Sequence, residues 1–167
     1  MNFFRTIELE IAGLGFIIYS PFCTSHILEN ENYFRSGEFD NPSVVEKQAL
    51  NGKLVGVSTG TPGNFIFKFC YGYPEEELLT SYEYKLRLCA KVKDNVLCIR
   101  DLYELLEWSS ECPKEQIVKL EDGIYHITLL SRMPISGILG DNQKILVFLQ
   151  ALNEMPQLRY NGVPTLC

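Results

Sequence analysis

The segment of residues 82–93 shows the alternating hydropathy of a β-strand that has one buried face. Every second side chain is apolar, and these are Tyr82, Tyr84, Leu86, Leu88, Ala90 and Val92. The intervening positions are charged except for Cys89, and four of them are the basic residues Lys85, Arg87, Lys91 and Lys93. The pair Asp94-Asn95 separates this run from a second apolar run at residues 96–99. Because both residues of that pair tolerate positive φ angles, the sequence predicts a β-hairpin.

Short strand-like runs recur along the rest of the chain, each rich in β-branched and aromatic residues and bounded by Gly, Pro, Asn or Asp. They cover residues 6–11, 16–19, 53–58, 64–71, 116–120, 123–131 and 144–149. The turns between them occur at the spacing that is typical of an antiparallel β-sandwich rather than of alternating βα units. We therefore predict one mainly β domain over residues 1–167, an antiparallel β-sandwich with one or two short helices.

Two segments interrupt this strand pattern. Asp101 is a suitable N-cap for a short helix over residues 101–108, in which three leucines follow at helical spacing. Residues 21–50 form a long polar excursion, and Pro42-Ser43 offers the start of a second helix within it. Long excursions from a scaffold carry function more often than tight turns do, so this segment is of functional interest.

The balance of charge limits the partners of this chain. It has 21 acidic and 15 basic residues, a formal charge of -6 and a pI near 5.0. This charge has the wrong sign for a protein that neutralises nucleic-acid phosphates, whereas it suits a basic protein partner. The N-terminus lacks the features of a signal peptide, and the most apolar stretch, residues 11–22, is too short to cross a bilayer. We expect a cytoplasmic protein that binds neither nucleic acid nor membranes.

The residues that could support catalysis or hold a metal form no recognisable motif. The six cysteines lack CxxC spacing, so we expect reduced thiols, with Cys70 and Cys98 packed inside strands. The two histidines, His26 and His126, have no accompanying Ser, Cys or Asp motif that would build a nucleophilic site. We therefore expect a protein that is not an enzyme and uses no cofactor or metal. An enzyme built on scattered carboxylates is the open alternative.

The acidic residues are distributed unevenly. Residues 101–122 contain seven acids and two lysines, and Glu75-Glu76-Glu77 forms a second cluster. The excursion adds Glu29, Glu31, Glu38 and Asp40. Such clusters are either a solvated surface that aids solubility or a surface complementary to a basic partner. The candidate partner-binding residues are Asp101, Tyr103, Glu104, Glu107, Trp108, Glu111, Glu75, Glu76 and Glu77.

Trp108, the only tryptophan, has two interpretations. It lies inside the acidic segment near Tyr103, where an aromatic side chain could anchor a protein contact. It could equally be an ordinary core residue. A competing functional class is a non-catalytic β-sandwich module that binds a small ligand or carbohydrate, with Tyr71, Tyr73 and Trp108 as stacking platforms.

Strand and turn patterns along most of the chain resemble those of a known bacterial family. They are found at residues 7–11 (IELEI), 63–69 (GNFIFKF), 81–86 (SYEYKL) with the Asp94-Asn95 turn, and 120–127 (LEDGIYHI). In this order they resemble the competence-associated inhibitors of a DNA-entry nuclease and the related immunity proteins encoded beside polymorphic toxins. The chain departs from that pattern in a longer excursion at residues 21–50 and a longer tail after Leu149.

The resemblance implies a cytoplasmic bacterial protein that binds and neutralises a cognate protein toxin, with a nuclease effector as one candidate. Nuclease toxins hold a polyphosphate and are generally basic, so an acidic surface could block the cleft by mimicking that phosphate. The resemblance assigns no inhibitory role to any single residue of this chain.

Overall fold

Two β-sheets packed face to face make up most of the computed structural model, which describes all residues from Met1 to Cys167. The strands are β1 Arg5–Ile11, β2 Gly15–Tyr19, β3 Leu54–Ser58, β4 Gly63–Tyr71, β5 Tyr84–Val92, β6 Val96–Asp101, β7 Ile117–Lys119, β8 Gly123–Ser131 and β9 Gln143–Leu152. The α-helices are α1 Tyr33–Ser36, α2 Pro42–Leu50 and α3 Glu76–Ser81. Three 3₁₀ helices cover Pro21–Thr24, Leu102–Leu106 and Lys114–Gln116. The mainly β class is confirmed, with 39% strand and 19% helix.

The order of strands is β1-β4-β9-β8-β5 in the five-stranded sheet and β3-β2-β6-β7 in the four-stranded sheet. All neighbouring strands are antiparallel except β4 and β9, which are parallel. Between the sheets lies a core of 25 buried residues, in which the rings of Phe16 and Phe67 meet edge to face at 5.0 Å. The predicted antiparallel-rich sandwich is therefore confirmed, and all nine predicted strands are present.

The predicted hairpin between residues 82–93 and 96–99 is wrong. Asp94 and Asn95 do form a tight turn, with φ angles of 59° and 60°, but β5 pairs with β8 whereas β6 pairs with β2 and β7. Only one bridge, between Lys93 and Val96, links the two strands. The chain crosses from one sheet to the other at this turn, because the buried faces of both strands then point into the core between the sheets.

The outer face of the four-stranded sheet is covered by the excursion of residues 21–50. Its helix α2 begins at Pro42, as predicted, and the Asn41 side chain caps it by accepting a hydrogen bond from the Ser43 amide at 3.0 Å. The short helix predicted over residues 101–108 is a 3₁₀ helix, Leu102–Leu106, that packs on the same face. A second cluster of ten buried side chains, including Tyr19, lies between these segments and the sheet.

The outer face of the five-stranded sheet is covered in part by α3, a helix that the sequence patterns did not predict. Its leucines Leu78 and Leu79 pack against a small buried cluster that includes Leu146 and Phe148 of β9. The acidic residues at its start, including Glu76, remain exposed to solvent. The two outer faces of the sandwich therefore carry different covering segments.

The C-terminal tail closes one side of the sandwich. Thr165 forms a parallel bridge with Ser58 at the free edge of β3, and the neighbouring Leu166 is buried in the core between the sheets. The Tyr160 hydroxyl donates a hydrogen bond to the Arg87 carbonyl of β5 at 2.7 Å. Both strands are outermost in their sheets, so the tail protects edges that could otherwise pair with another chain.

No disulfide joins the six cysteines, and four of them are buried. Cys70 and Cys98 lie within β4 and β6, where their thiols pack as small apolar groups, as the sequence predicted. The longest helix, α2, has nine residues, and none of the helices has the length and hydropathy that a membrane crossing requires.

Candidate partner-binding face

A buried arginine organises the acidic segment that follows β6. Arg100 points outward from the four-stranded sheet, yet only 3% of it is exposed. Its Nη1 donates hydrogen bonds to the Tyr19 hydroxyl at 3.1 Å and the Ser109 carbonyl at 2.7 Å, and its Nη2 donates to the Glu104 carboxylate at 2.9 Å. Because a buried cation is tolerated only when it is paired, these contacts hold the segment in a defined conformation.

Trp108 belongs to the core and not to the surface. Its side chain is 1% exposed and packs against Tyr19, with ring centres 5.5 Å apart. The Arg100 guanidinium lies over the same ring at 4.8 Å from its centre, a cation–π contact. The interpretation of Trp108 as an interface anchor or a stacking platform is therefore wrong, since its ring is buried against Tyr19 and Arg100.

The excursion of residues 21–50 places further acidic residues beside the segment that follows β6. The Asn30 amide donates to the Trp108 carbonyl at 2.7 Å, and the Trp108 amide donates to the Glu31 carbonyl at 3.0 Å. The Glu29 carboxylate accepts a hydrogen bond from the Ser110 amide at 2.7 Å. This hydrogen bond, helped by the positive charge of Arg100, lowers the pKa of Glu29. Glu29 was not among the candidate residues, because its neighbour Ser110 is 81 positions away in the chain.

Seven exposed residues, on the segment that follows β6 and on the part of the excursion that is hydrogen-bonded to it, make up what we call the acidic face. They are Leu28, Glu29, Tyr103, Glu104, Leu106, Glu107 and Glu111. The apolar members are exposed to solvent, with Leu28 70% exposed, Tyr103 47% and Leu106 46%. Exposed apolar side chains on segments that also carry exposed carboxylates have the composition expected of a protein-binding surface that recognises a basic partner.

Asp101 and Glu104 have structural roles at the border of this face. The Asp101 carboxylate caps the following 3₁₀ helix by accepting from the Tyr103 amide at 3.1 Å, and it also accepts from the Ala12 amide at 2.7 Å. Glu104 is the carboxylate that pairs with Arg100, although 46% of its side chain remains exposed. Glu107 and Glu111 form no such internal ion pair, so their charges are free to act on a partner.

The second predicted cluster, Glu75-Glu76-Glu77, does not join the acidic face. It lies at the start of α3 on the five-stranded sheet, whereas the acidic face is built on the outer side of the four-stranded sheet. The two clusters are therefore on opposite faces of the sandwich. One compact partner cannot contact both at the same time.

An aromatic group lies beside α3. Tyr71 is 62% exposed and stacks on Phe4, with ring centres 4.2 Å apart and an interplanar angle of 9°. Tyr73, which is 56% exposed, stands nearby over His126, with ring centres 5.4 Å apart. Tyr71 and Tyr73 line a cleft of about 580 Å³ together with Glu75 and Glu77 of the second cluster.

The two histidines lie on different segments, His126 on β8 and His26 on the excursion. His126 is 8% exposed on β8, and its Nδ1 lies 3.5 Å from the Thr128 hydroxyl. Burial, together with the positive charge of Arg87, lowers the pKa of His126. His26 is exposed on the excursion, where its Nε2 lies 3.2 Å from the Tyr33 hydroxyl. No group of three or more His, Cys, Asp or Glu side chains is gathered as a metal site would require.

Two solved structures share this fold. The crystal structure of ComJ from Bacillus subtilis, an inhibitor of the DNA-degrading activity of NucA, superposes with a TM-score of 0.51 and 13% sequence identity, covering 90% of this chain and 98% of ComJ. The product of crocagin biosynthetic gene J superposes with a TM-score of 0.56 and 9% identity, covering 86% of this chain and 96% of the other. No family model and no curated protein matches the sequence. The chain therefore has a fold like that of a nuclease inhibitor.

Proposed function

We propose that this chain is a bacterial immunity protein that binds and neutralises a basic protein toxin, such as a nuclease effector, through the acidic face. The observation that carries the proposal is the exposure of Leu28, Tyr103 and Leu106 among unpaired carboxylates on a rigid support. The fold shared with ComJ supports an inhibitor role, because that protein inhibits a nuclease.

In this proposal the carboxylates and the apolar side chains of the acidic face act at different stages of binding. Glu107, Glu111 and Glu29 attract a basic cleft over a distance and raise the rate of encounter, toward about 10⁸ M⁻¹s⁻¹ at low salt. Once the surfaces meet, Tyr103 and the two exposed leucines lose their contact with water, which stabilises the complex by about 25 cal/mol for each Å² of apolar surface that is buried.

The support beneath the face limits the entropy lost on binding. The segment that carries Glu104 and Glu107 is fixed by Arg100, by Trp108 and by the hydrogen bonds to residues 29–31. A surface that is already ordered in the free protein loses little conformational freedom when a partner binds. Inhibition of this kind blocks a cleft without any chemical step, so we assign no catalytic role to the chain. The encounter with the toxin would take place in the cytoplasm.

The experiment uses the effector encoded by the gene adjacent to that of this chain. Plasmid DNA is incubated with that effector in the absence and presence of this protein, and the loss of intact plasmid is followed at several salt concentrations. We expect stoichiometric protection that weakens as salt or DNA concentration rises. The Glu107→Lys/Glu111→Lys variant should lose protection, whereas Glu75→Lys/Glu76→Lys on the opposite face should keep it. Equal degradation with and without the protein would refute the proposal for that effector.

A second candidate function rests on the aromatic group beside α3. The stacked pair of Tyr71 and Phe4, with Tyr73 next to it, offers exposed rings at the rim of a cleft, as sites for neutral sugars do. Calorimetric titration with a panel of mono- and disaccharides tests this function. Binding that is lost in Tyr71→Ala and kept in Tyr103→Ala would favour it, and no heat with any sugar would exclude it for that panel.

A further inference from the structure

A second surface of opposite charge lies on the excursion. It is a cleft of about 840 Å³ between α2 and the 3₁₀ helix Pro21–Thr24. One wall includes Lys47 and Gln48 of α2 and Asn51, which caps the C-terminus of that helix, and the other includes Phe22 and His26. This volume lies in the range of pockets that hold small organic ligands, roughly 300–1,000 Å³.

The charge of this cleft is the reverse of the charge of the whole chain. No carboxylate lines it, although acids outnumber bases in the sequence. Lys47 and Lys53 belong to its lining, and the Lys93 ammonium lies 5.8 Å from the centre of the Phe22 ring. Two lysines thus line the cleft, and the ammonium of a third, Lys93, lies near the ring of Phe22 in its wall.

The other polar lining groups offer hydrogen-bond donors. The Gln48 amide donates to the Tyr33 hydroxyl at 3.4 Å, and the His26 Nε2 lies 3.2 Å from the same hydroxyl. The free donors of this site are the ammonium groups of Lys47 and Lys53 and the side-chain amide of Asn51.

Phe22 adds an apolar surface to this donor-rich site. It is 38% exposed and lies at the lining of the cleft beside the cations. Phosphate groups satisfy converging cationic donors, and a nucleobase stacks on an exposed aromatic ring. We propose that the cleft binds a nucleoside phosphate, with the phosphates between Lys47 and Lys53 and the base against Phe22. This inference does not depend on the acidic face or on a toxin partner.

The size of the ligand follows from the charge distribution. The whole chain has a formal charge of -6, which opposes the binding of a long polyanion. A mononucleotide carries a short phosphate group that the two lining lysines, Lys47 and Lys53, can contact. The site therefore favours a short phosphate-bearing ligand over a polymer.

The test is calorimetric titration of the full chain at low salt with ADP, adenosine and pyrophosphate. We expect ADP to bind most tightly, with adenosine and pyrophosphate each weaker by about tenfold or more, because each lacks one of the two contacts. Pyrophosphate binding as tight as that of ADP would overturn recognition of the base. No heat with ADP would overturn the site.

Matched variants separate this site from general attraction to lysines. Lys47→Gln/Lys53→Gln should weaken ADP binding by about tenfold or more, because it removes charge-assisted hydrogen bonds. The control Lys85→Gln/Lys119→Gln, which removes two exposed lysines elsewhere, should leave ADP binding within about twofold. Phe22→Ala should weaken ADP binding and leave pyrophosphate binding unchanged. An equal loss of ADP binding in both lysine variants would overturn the proposal. Circular dichroism confirms that each variant is folded.

Discussion

The guanidinium of Arg100 lies 4.8 Å from the centre of the Trp108 ring, and both side chains are buried directly beneath the acidic face. Arg100 belongs to the four-stranded sheet, and its contacts with Trp108, Ser109 and Glu104 hold the segment that carries the acidic face. Glu104 completes the arrangement, because its carboxylate neutralises the buried cation. The Glu104 carboxylate therefore contributes to the stability of the fold, whereas those of Glu107 and Glu111 form no internal ion pair and are available for binding.

Glu104→Lys should destabilise the protein, whereas Glu107→Lys should not. The first change places a cation beside the buried Arg100, and the cost is about 1–3 kcal/mol, less than for a fully buried pair because Glu104 is half exposed. The second change, at an exposed residue without an ion pair, should alter the free energy of unfolding by about 0.5 kcal/mol or less. Urea unfolding followed by tryptophan fluorescence measures both. Equal stabilities of the two variants would contradict the structural role of Glu104.

Trp108→Ala should lower the free energy of unfolding by about 3–5 kcal/mol, because it leaves a large cavity and removes the ring beneath Arg100. Tyr103→Ala, at a ring that is 47% exposed, is the matched control and should cost less than about 1 kcal/mol. Since the first variant lacks the fluorophore, both are followed by circular dichroism during urea unfolding. A larger loss in Tyr103→Ala would mean that Trp108 is not the main support.

The C-terminal tail should contribute both stability and protection of an edge. Leu166→Ala removes a side chain that is 2% exposed in the core and should cost about 2–4 kcal/mol. The control Thr165→Ala, at an exposed neighbour, should be nearly neutral. Truncation after Gly162 should also free the edge of β3 and cause association that grows with protein concentration. Thermal unfolding and size-exclusion chromatography with light scattering test these outcomes, and a monomeric truncated protein would argue against edge protection.

His126 should make the protein less stable at mildly acidic pH. Burial and the charge of Arg87 lower its pKa in the folded state below the unfolded value of about 6.5. The unfolded state therefore binds the proton more readily, so this stability is present above about pH 6.5 and is lost as the pH falls through the folded pKa. Unfolding free energies measured at pH 5 and pH 7.5 should differ in the wild type and differ less in His126→Gln. His26→Gln, at an exposed histidine, should retain the wild-type difference.

Association with the toxin should depend on one face of the sandwich only. Glu107→Lys/Glu111→Lys should slow association by about tenfold at low salt and flatten its salt dependence, because long-range attraction acts mainly on the association rate. Glu75→Lys/Glu76→Lys changes the charge equally on the opposite face and should associate at the wild-type rate. Surface plasmon resonance with the immobilised toxin measures both rates. Slower association of the second variant alone would assign binding to the α3 side.

All nine strands could be predicted from the sequence, because alternation and turn residues are local signals. The pairing of β5 and β6 could not, since the turn at Asp94-Asn95 is compatible both with a hairpin and with a crossing between sheets. Whether β5 pairs with β6 depends on strands that are distant in the sequence. Here β5 pairs with β8, and β6 pairs with β2 and β7. Helix α3 was missed because it has only six residues, although acids followed by Leu78 and Leu79 are a recognisable sign of a helix start.

The candidate site could be predicted in part. Glu104, Glu107 and Glu111 belong to the acidic face, whereas Glu29 joins it only through contacts between distant segments. The exposure of Trp108 could not be deduced, because a tryptophan among charged residues is compatible with both a surface and a core position. Trp108 is buried because Arg100 packs over its ring. Arg100 is itself buried, although charged side chains usually face water, so the sequence does not reveal this contact.

The position of β9 between β4 and β8 has a consequence for how the chain is made. Neither neighbour pairs with the other, so each keeps an unpaired edge until residues 143–152 have been synthesised. The five-stranded sheet therefore cannot be completed while translation is still at β8, and its final strand must enter between two strands that are already present. Such a late insertion favours slow folding and exposes the nascent protein to aggregation, so we expect its yield in cells to depend on chaperones more than its modest size would suggest.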